Sequence, residues 1–170
     1  MTLFIASIAI ALTVSFLCSI MEAALLSLTP SKLALISERS PVIGRICAHF
    51  KKDIEKPIAV ILILNTAAHT FGASIAGAEF DELFGNRYIW IFSLAFTVMM
   101  VQYTEILPKT LGVRFNLPVM AYTARTLKFL VWLMSPLIAL VHLINRPFDP
   151  HKNERKEEKI NIGEITALAT

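Results

Sequence analysis

Residues 3–28 run through apolar side chains almost without a break as far as Ser19, and meet no charged side chain before Glu22. At about 1.5 Å of rise per residue, a helix of that length exceeds the roughly 30 Å hydrocarbon core of a bilayer. Inside lipid a lone segment must satisfy its N–H and C=O groups within itself, so such a run is expected to be an α-helix. A second apolar run covers residues 57–78, and a third begins at residue 88. A fourth, residues 127–144, is short for a span, contains Pro136, and is bounded by Lys128 and Arg146. Composition agrees with a membrane protein. Hydrophobic residues make up 55% of the 170 and charged residues only 17%, where a soluble domain carries about a quarter charged. This excludes disorder, collagen and coiled coil. Two cysteines cannot build a disulfide framework. Met1 and Thr2 supply no basic n-region, so the first run does not read as a signal peptide.

Loop charge sets the expected orientation. Lys32, Arg39, Arg45, Lys51, Lys52 and Lys56 lie between the first and second runs. Between the second and third lie Glu79, Asp81 and Glu82, with Arg87 as the one basic residue. After the third come Lys109, Arg114, Arg125 and Lys128. The excess of Lys and Arg in cytoplasmic loops then puts the N-terminus outside and the C-terminus in the cytoplasm. A full fourth span would carry Lys152, Arg155, Lys156 and Lys159 outside, so residues 118–145 are expected to form a juxtamembrane helix or helical hairpin. The fold class is an all-α integral membrane domain, with spans over about 3–28, 57–78 and 88–114. Short amphipathic helices are expected over 29–56, with Ser31 as an N-cap and Pro41 as a break. The formal charge of +3 fits basic loops facing anionic lipid, and no nucleic-acid partner is expected.

Polar groups in hydrocarbon are costly, so each asks for a reason. Ser15, Ser19 and Glu22 fall on one face of the first span, Asn65 and His69 on one face of the second, and Gln102 and Glu105 near the end of the third, with Lys109 a turn further on. Counting from the inner ends, Ser19, Asn65 and Glu105 each lie about 12–13 Å into the membrane. Three helices thus carry oxygen-bearing side chains to one level. An oxygen-only set suits a hard cation such as Mg²⁺. Plainer readings exist for each residue. Ser15 and Ser19 are small enough to be packing residues, and Asn65 could be an interhelical hydrogen-bond contact. His69 could be a satisfied core histidine. Glu22 could pair with Lys32 and Glu105 with Lys109. Ala68, Gly72 and Ala76, and Ala73 with Gly77, form small-residue faces for close packing within the protomer or across a dimer.

Three motifs in order resemble the CorC/CorB and cyclin M (CNNM) family of magnesium transporters. Residues 19–27 (SIMEAALLS) are similar to the family's S-x-x-E-A-A-L-x-S, Asn65-Thr66 to the asparagine of its second helix, and residues 104–112 (TEILPKTLG) to G-E-I-x-P-K-x-x-G. Thr104 stands where the family usually has glycine. The resemblance covers essentially the whole chain. It implies that residues 1–148 are a Mg²⁺ transport domain of the cytoplasmic membrane, acting as a homodimer. The implied activity is Mg²⁺ export with Na⁺ as the candidate counter-ion. The ion site would fall on Ser19, Asn65 and Glu105, with Glu22, Ser15, Gln102 and His69 as further candidates, and Pro108, Lys109 and Gly112 as motif positions. Residues 149–170 would be a linker and the start of a helix, capped at Asn161, that leads to a CBS pair binding ATP with Mg²⁺. A membrane Mg²⁺ sensor or scaffold is the alternative. No enzyme is expected, because the spans carry no HExxH, Ser/His pair or paired aspartates.

The orientation has a direct test. With Cys18 and Cys47 replaced, Asn86→Cys is expected to react with an impermeant thiol reagent added outside, and Lys52→Cys is not. The opposite labelling would reverse the orientation.

Overall fold

The computed structural model describes residues 1–145, and it is helical from one end to the other apart from short turns. The expected linker over 149–170, with its helix capped at Asn161, lies outside the described residues. Helix α1 (Thr2–Leu26), α4 (Glu55–Phe84) and the composite helix Asn86–Arg114 are the three described helices long and apolar enough to cross a membrane. Large apolar side chains stand exposed along them, among them Leu3, Phe71, Trp90 and Leu94. On a soluble monomer a surface of this kind would be anomalous; facing lipid it costs nothing.

Two short helices, α2 (Pro30–Arg39) and α3 (Pro41–Lys52), join the first two spans. Each opens on a proline, whose fixed φ and missing N–H suit a first helical position. The cap of α2 is Thr29, not Ser31: the Thr29 hydroxyl accepts from the Lys32 N–H, and Pro30 takes the position that follows it. The turn between α4 and the third span is tight. Gly85 ends α4 at φ 77°, a conformation that glycine adopts without a Cβ penalty, and a 3₁₀ turn, Asn86–Tyr88, leads straight into the next helix.

The third span is not one regular helix. An α-helical part, α5 (Ile89–Met100), passes into a π-helical segment, Val101–Ile106, and then into α6 (Leu107–Arg114). Pro108 supplies a physical reason. It has no N–H for the Thr104 carbonyl one turn back, and its ring would crowd that carbonyl in a regular helix. Widening the preceding turn to i→i+5 relieves the conflict, and such widened turns are rare and collect at functional sites.

Residues 118–145, expected as one juxtamembrane helix or a helical hairpin, fall in two helices. Helix α7 (Asn116–Leu133) takes Pro118 into its first turn, and α8 (Ser135–Asn145) starts just before Pro136. Helix α7 carries Arg125 and Lys128 and does not qualify as a span; it buries Met120, Ala124 and Leu127 against α1, α3 and α4. Residues Met1–Met134 form one compact unit, and α8 belongs to a separate one.

The compact unit has two apolar clusters. One joins Met21, Ala24, Leu25 and Leu28 to Ile36, Ile43, Phe50, Ile61 and the buried face of α7. The other joins Ala76, Phe96 and Met100 to Phe4, Ile8 and Phe92, with the Phe80 and Phe92 rings stacked at 4.5 Å. Along α1, Ser15 lies between the two clusters, and Ser19 sits just past Cys18 at the edge of the first. Cys18 and Cys47 are buried free thiols in the first cluster, and burial pushes Cys47 up to about 11.

Small residues decide how closely the spans approach. Gly72 and Ala76 are buried, and a Cβ on Gly72 would collide with that of Ala11, so this face packs within the protomer against α1. Gly77, on the neighbouring face, meets nothing within 4 Å. On α6, a Cβ built on Gly112 would lie 2.6 Å from the Ile20 carbonyl oxygen and 2.8 Å from the Ala23 Cβ. Because the first of these neighbours is backbone, it cannot swing aside. Gly112→Ala is therefore expected to destabilise the fold by about 1–3 kcal/mol, the usual cost of overpacking, read as a lower midpoint in thermal unfolding in mild detergent. An unchanged midpoint would mean that α6 can move away from α1 freely.

Candidate cation site

Ser15 and Ser19 lie one turn apart on α1 and are both fully buried. A serine hydroxyl in that setting needs a partner. Ser15 has two: its Oγ lies 2.5 Å from Asn65 Oδ1 and 2.5 Å from His69 Nε2, both on α4. Ser19 has none; its hydroxyl is buried without a hydrogen-bond partner among the described residues. An orphaned buried oxygen of this sort calls for an explanation, and a cation-binding role is one.

From Asn65 the network runs to the third span. The Asn65 Nδ2 donates to Glu105 Oε1 at 3.1 Å. Glu105 Oε2 in turn lies 2.8 Å from Lys109 Nζ, one helical turn on. The same ammonium stands 3.7 Å from Glu22 Oε2 on α1. Two carboxylates thus share one ammonium, and among these three groups one negative charge is left over. Glu105 and Glu22 are partly buried, at 29% and 28% side-chain exposure, so that charge is incompletely screened.

Thr104 closes the cluster from the other side. It is fully buried, its hydroxyl donates to the Met100 carbonyl at 2.7 Å, and it lies 3.1 Å from His69 Nε2. Both Thr104 and Glu105 belong to the π-helical segment.

The sequence candidates therefore divide. Ser15, Asn65, His69 and Glu105 are joined by hydrogen bonds, and Lys109 and Glu22 are tied to Glu105 through charge. Gln102 is not part of the cluster: its side chain is exposed. Its i, i+3 spacing to Glu105 puts two residues on one face of an α-helix, but the extra residue per turn in the π segment rotates them apart. Lys32, the alternative partner for Glu22, instead donates to Asn116 Oδ1 at 3.0 Å. Asn116 is itself 1% exposed and donates to the Ser27 carbonyl and hydroxyl at 3.0 Å, which pins the start of α7 to the end of α1. Pro108 and Gly112 are both buried and act on backbone geometry and packing.

Sequence reasoning noted Thr104 as a departure from a motif without seeing that it carries a site hydroxyl. It did not single out Asn116 at all. The usable signal for Thr104 was its place next to Glu105 in a segment ending in proline; Asn116 gave none, because its partners are 84 and 89 residues away.

No group of three or more His, Cys, Asp or Glu side chains able to hold a metal lies together among the described residues. Any cation here would rest on hydroxyl, amide and backbone oxygens supported by the carboxylates, a hard-donor set.

The family model for the cyclin M transmembrane N-terminal domain matches residues 6–169. The UPF0053 protein sll1254 of Synechocystis is 30% identical over 166 residues, which is 98% of this chain and 47% of that protein. A UPF0053 protein of Haemophilus influenzae is 29% identical over 148 residues, 85% of this chain and 34% of that protein. The chain thus spans less than half the length of either relative.

Proposed function

The chain belongs to the cyclin M transmembrane domain family, a family of multi-pass membrane domains, and from that premise we propose that it carries Mg²⁺ across the cytoplasmic membrane. The observation that supports this most is the chain of hydrogen bonds that joins three spans, from Ser15 through the Asn65 amide to the Glu105 carboxylate in a π-helical turn, with the orphaned Ser19 hydroxyl one turn along α1 from Ser15. In this reading Ser19, Asn65 and Glu105 are the ligands. Glu22 adds charge from the side. Export is the proposed direction and Na⁺ the proposed counter-ion. The N-terminus faces out and the basic loops face the cytoplasm. The working unit is a homodimer, and a CBS pair that binds ATP with Mg²⁺ would follow in the longer protein.

In this reading a cation takes the place that Lys109 holds beside Glu105. An ammonium at 2.8 Å from Glu105 stabilises the carboxylate, which would be costly alone within a span. A divalent ion brings twice the charge and can take more oxygen ligands. It would replace Lys109 at the carboxylate, and the ammonium would reach toward the inner surface on its long stem.

The sensor or scaffold alternative uses the same site and differs only in flux. Mg²⁺ uptake or release by the protein in liposomes separates the two.

Removing the charge of Glu105 is the sharpest test. Two unit charges about 4 Å apart attract by about 4 kcal/mol at an effective dielectric of 20, which corresponds to about a thousandfold in affinity. Glu105→Gln is therefore expected to abolish measurable Mg²⁺ binding and transport. Asn65→Ala and Ser19→Ala, each losing one neutral oxygen, are expected to weaken binding about tenfold. Calorimetric titration with Mg²⁺, paired with size-exclusion chromatography, reads all three. Wild-type affinity in a well-folded Glu105→Gln protein would put the ion elsewhere and leave Glu105 as Lys109's partner alone.

A further inference from the structure

The hydrogen bonds around Asn65 have a direction, and it can be worked out donor by donor. Glu105, ion-paired with Lys109, is a carboxylate and can only accept. The group facing it at 3.1 Å is therefore the Asn65 NH₂, and the Asn65 carbonyl points away from the carboxylate, to Ser15. That carbonyl takes the single Ser15 proton. Ser15 Oγ can then only accept from His69, so His69 Nε2 carries a hydrogen. Thr104 gives the same answer independently. Its proton is committed to the Met100 carbonyl, so it too can only accept from His69 Nε2. One N–H is shared between two hydroxyl oxygens, and its position follows from both.

This arrangement turns the Asn65 oxygen away from Glu105 and does not suit a bound cation. A cation held between Asn65 and Glu105 needs the amide oxygen, not the NH₂, on the Glu105 side. The Asn65 amide must turn over, which presents its NH₂ to Ser15. Ser15 must then accept where it donated. Its proton is freed toward the nearest remaining group, His69 Nε2, which can take it only with a lone pair.

We propose that Ser15, His69 and Thr104 are positioning residues that set which end of the Asn65 amide faces the cation, and that cation binding reverses this chain, moving His69 from its Nε2–H to its Nδ1–H tautomer. The ring keeps one proton throughout: Nε2 gives one up and Nδ1 gains one by exchange with water, so the charge on His69 is unchanged. Thr104, whose O–H stays donated to the Met100 carbonyl, holds the Nε2–H form without a cation and loses that contact when one binds. The relay rests on the cation-site reading above.

Nuclear magnetic resonance on the chain in lipid nanodiscs, with ¹⁵N-labelled histidine, reads the tautomer directly. The His69 ring signals are assigned as those absent from the His69→Gln protein. The expected result is Nε2–H in Mg²⁺-free buffer and Nδ1–H at saturating Mg²⁺. A ring that holds one tautomer in both conditions overturns the relay, and so does Nδ1–H in the Mg²⁺-free protein. Two variants give a second reading by calorimetry. His69→Phe can neither donate nor accept and is expected to weaken Mg²⁺ binding about tenfold, the cost of one unmade buried hydrogen bond. His69→Gln, whose amide can do either, is expected to recover most of that loss. Equal losses in the two, or no loss in His69→Phe, overturn the relay. The two hypotheses fail separately. Wild-type affinity in Glu105→Gln removes the cation site and the relay with it. Loss of binding in Glu105→Gln, with an unmoving His69 tautomer in the unaltered chain, keeps the site and removes the relay alone.

Discussion

A carboxylate at the depth of Glu105 needs a counter-charge and hydrogen-bond donors, and much of the compact unit is arranged to give it both. Lys109 supplies the charge from one turn away, and Asn65 supplies a donor from a different span. Through Asn65 the network continues to Ser15 and His69, and through His69 it returns to the third span at Thr104. Each of these groups would be costly alone in hydrocarbon. Joined, they hold three spans at a common register, and the two apolar clusters pack on the bundle beyond them.

The same level is where the third span departs from regular geometry. Pro108 cannot serve the carbonyl one turn back, and the backbone widens into a π turn just before it. Irregular backbone at membrane depth is tolerated where protein surrounds it, and here α1 does: Gly112 lets α6 press against the Ile20 carbonyl, and Thr104 is fully buried. A proline, a glycine and a threonine thus act together. The proline forces the widening, the glycine brings it against α1, and the threonine hydroxyl takes up the Met100 carbonyl.

The loops contribute anchorage. Asn116 joins the end of α1, Lys32 on α2 and the start of α7 through three hydrogen bonds. Helix α7 then lies against α1, α3 and α4 with its basic residues exposed. Met120, Ala124 and Leu127 are used on protein, while Phe129, Trp132 and Leu133 stay exposed beside Arg125 and Lys128.

The amino-acid sequence by itself determined the three spans, the pair of short helices between the first two, and the polar level, because apolar run length and helical spacing are local properties that lipid enforces. It also carried the family motifs, and through them Ser19, Asn65 and Glu105. The tertiary structure alone decided what those residues touch. The Asn65 amide is oriented by a carboxylate 40 residues away, Lys32 is drawn to Asn116 84 residues on, and Gln102 is turned out of the cluster by a widening that spacing rules for a regular helix do not contain. Hydrogen bonds between spans depend on how closely backbones approach and how each helix is rotated. The approach is set by Gly72 and Gly112 acting against residues on α1, which no stretch of sequence read on its own contains, and the rotation of the third span by the widening before Pro108.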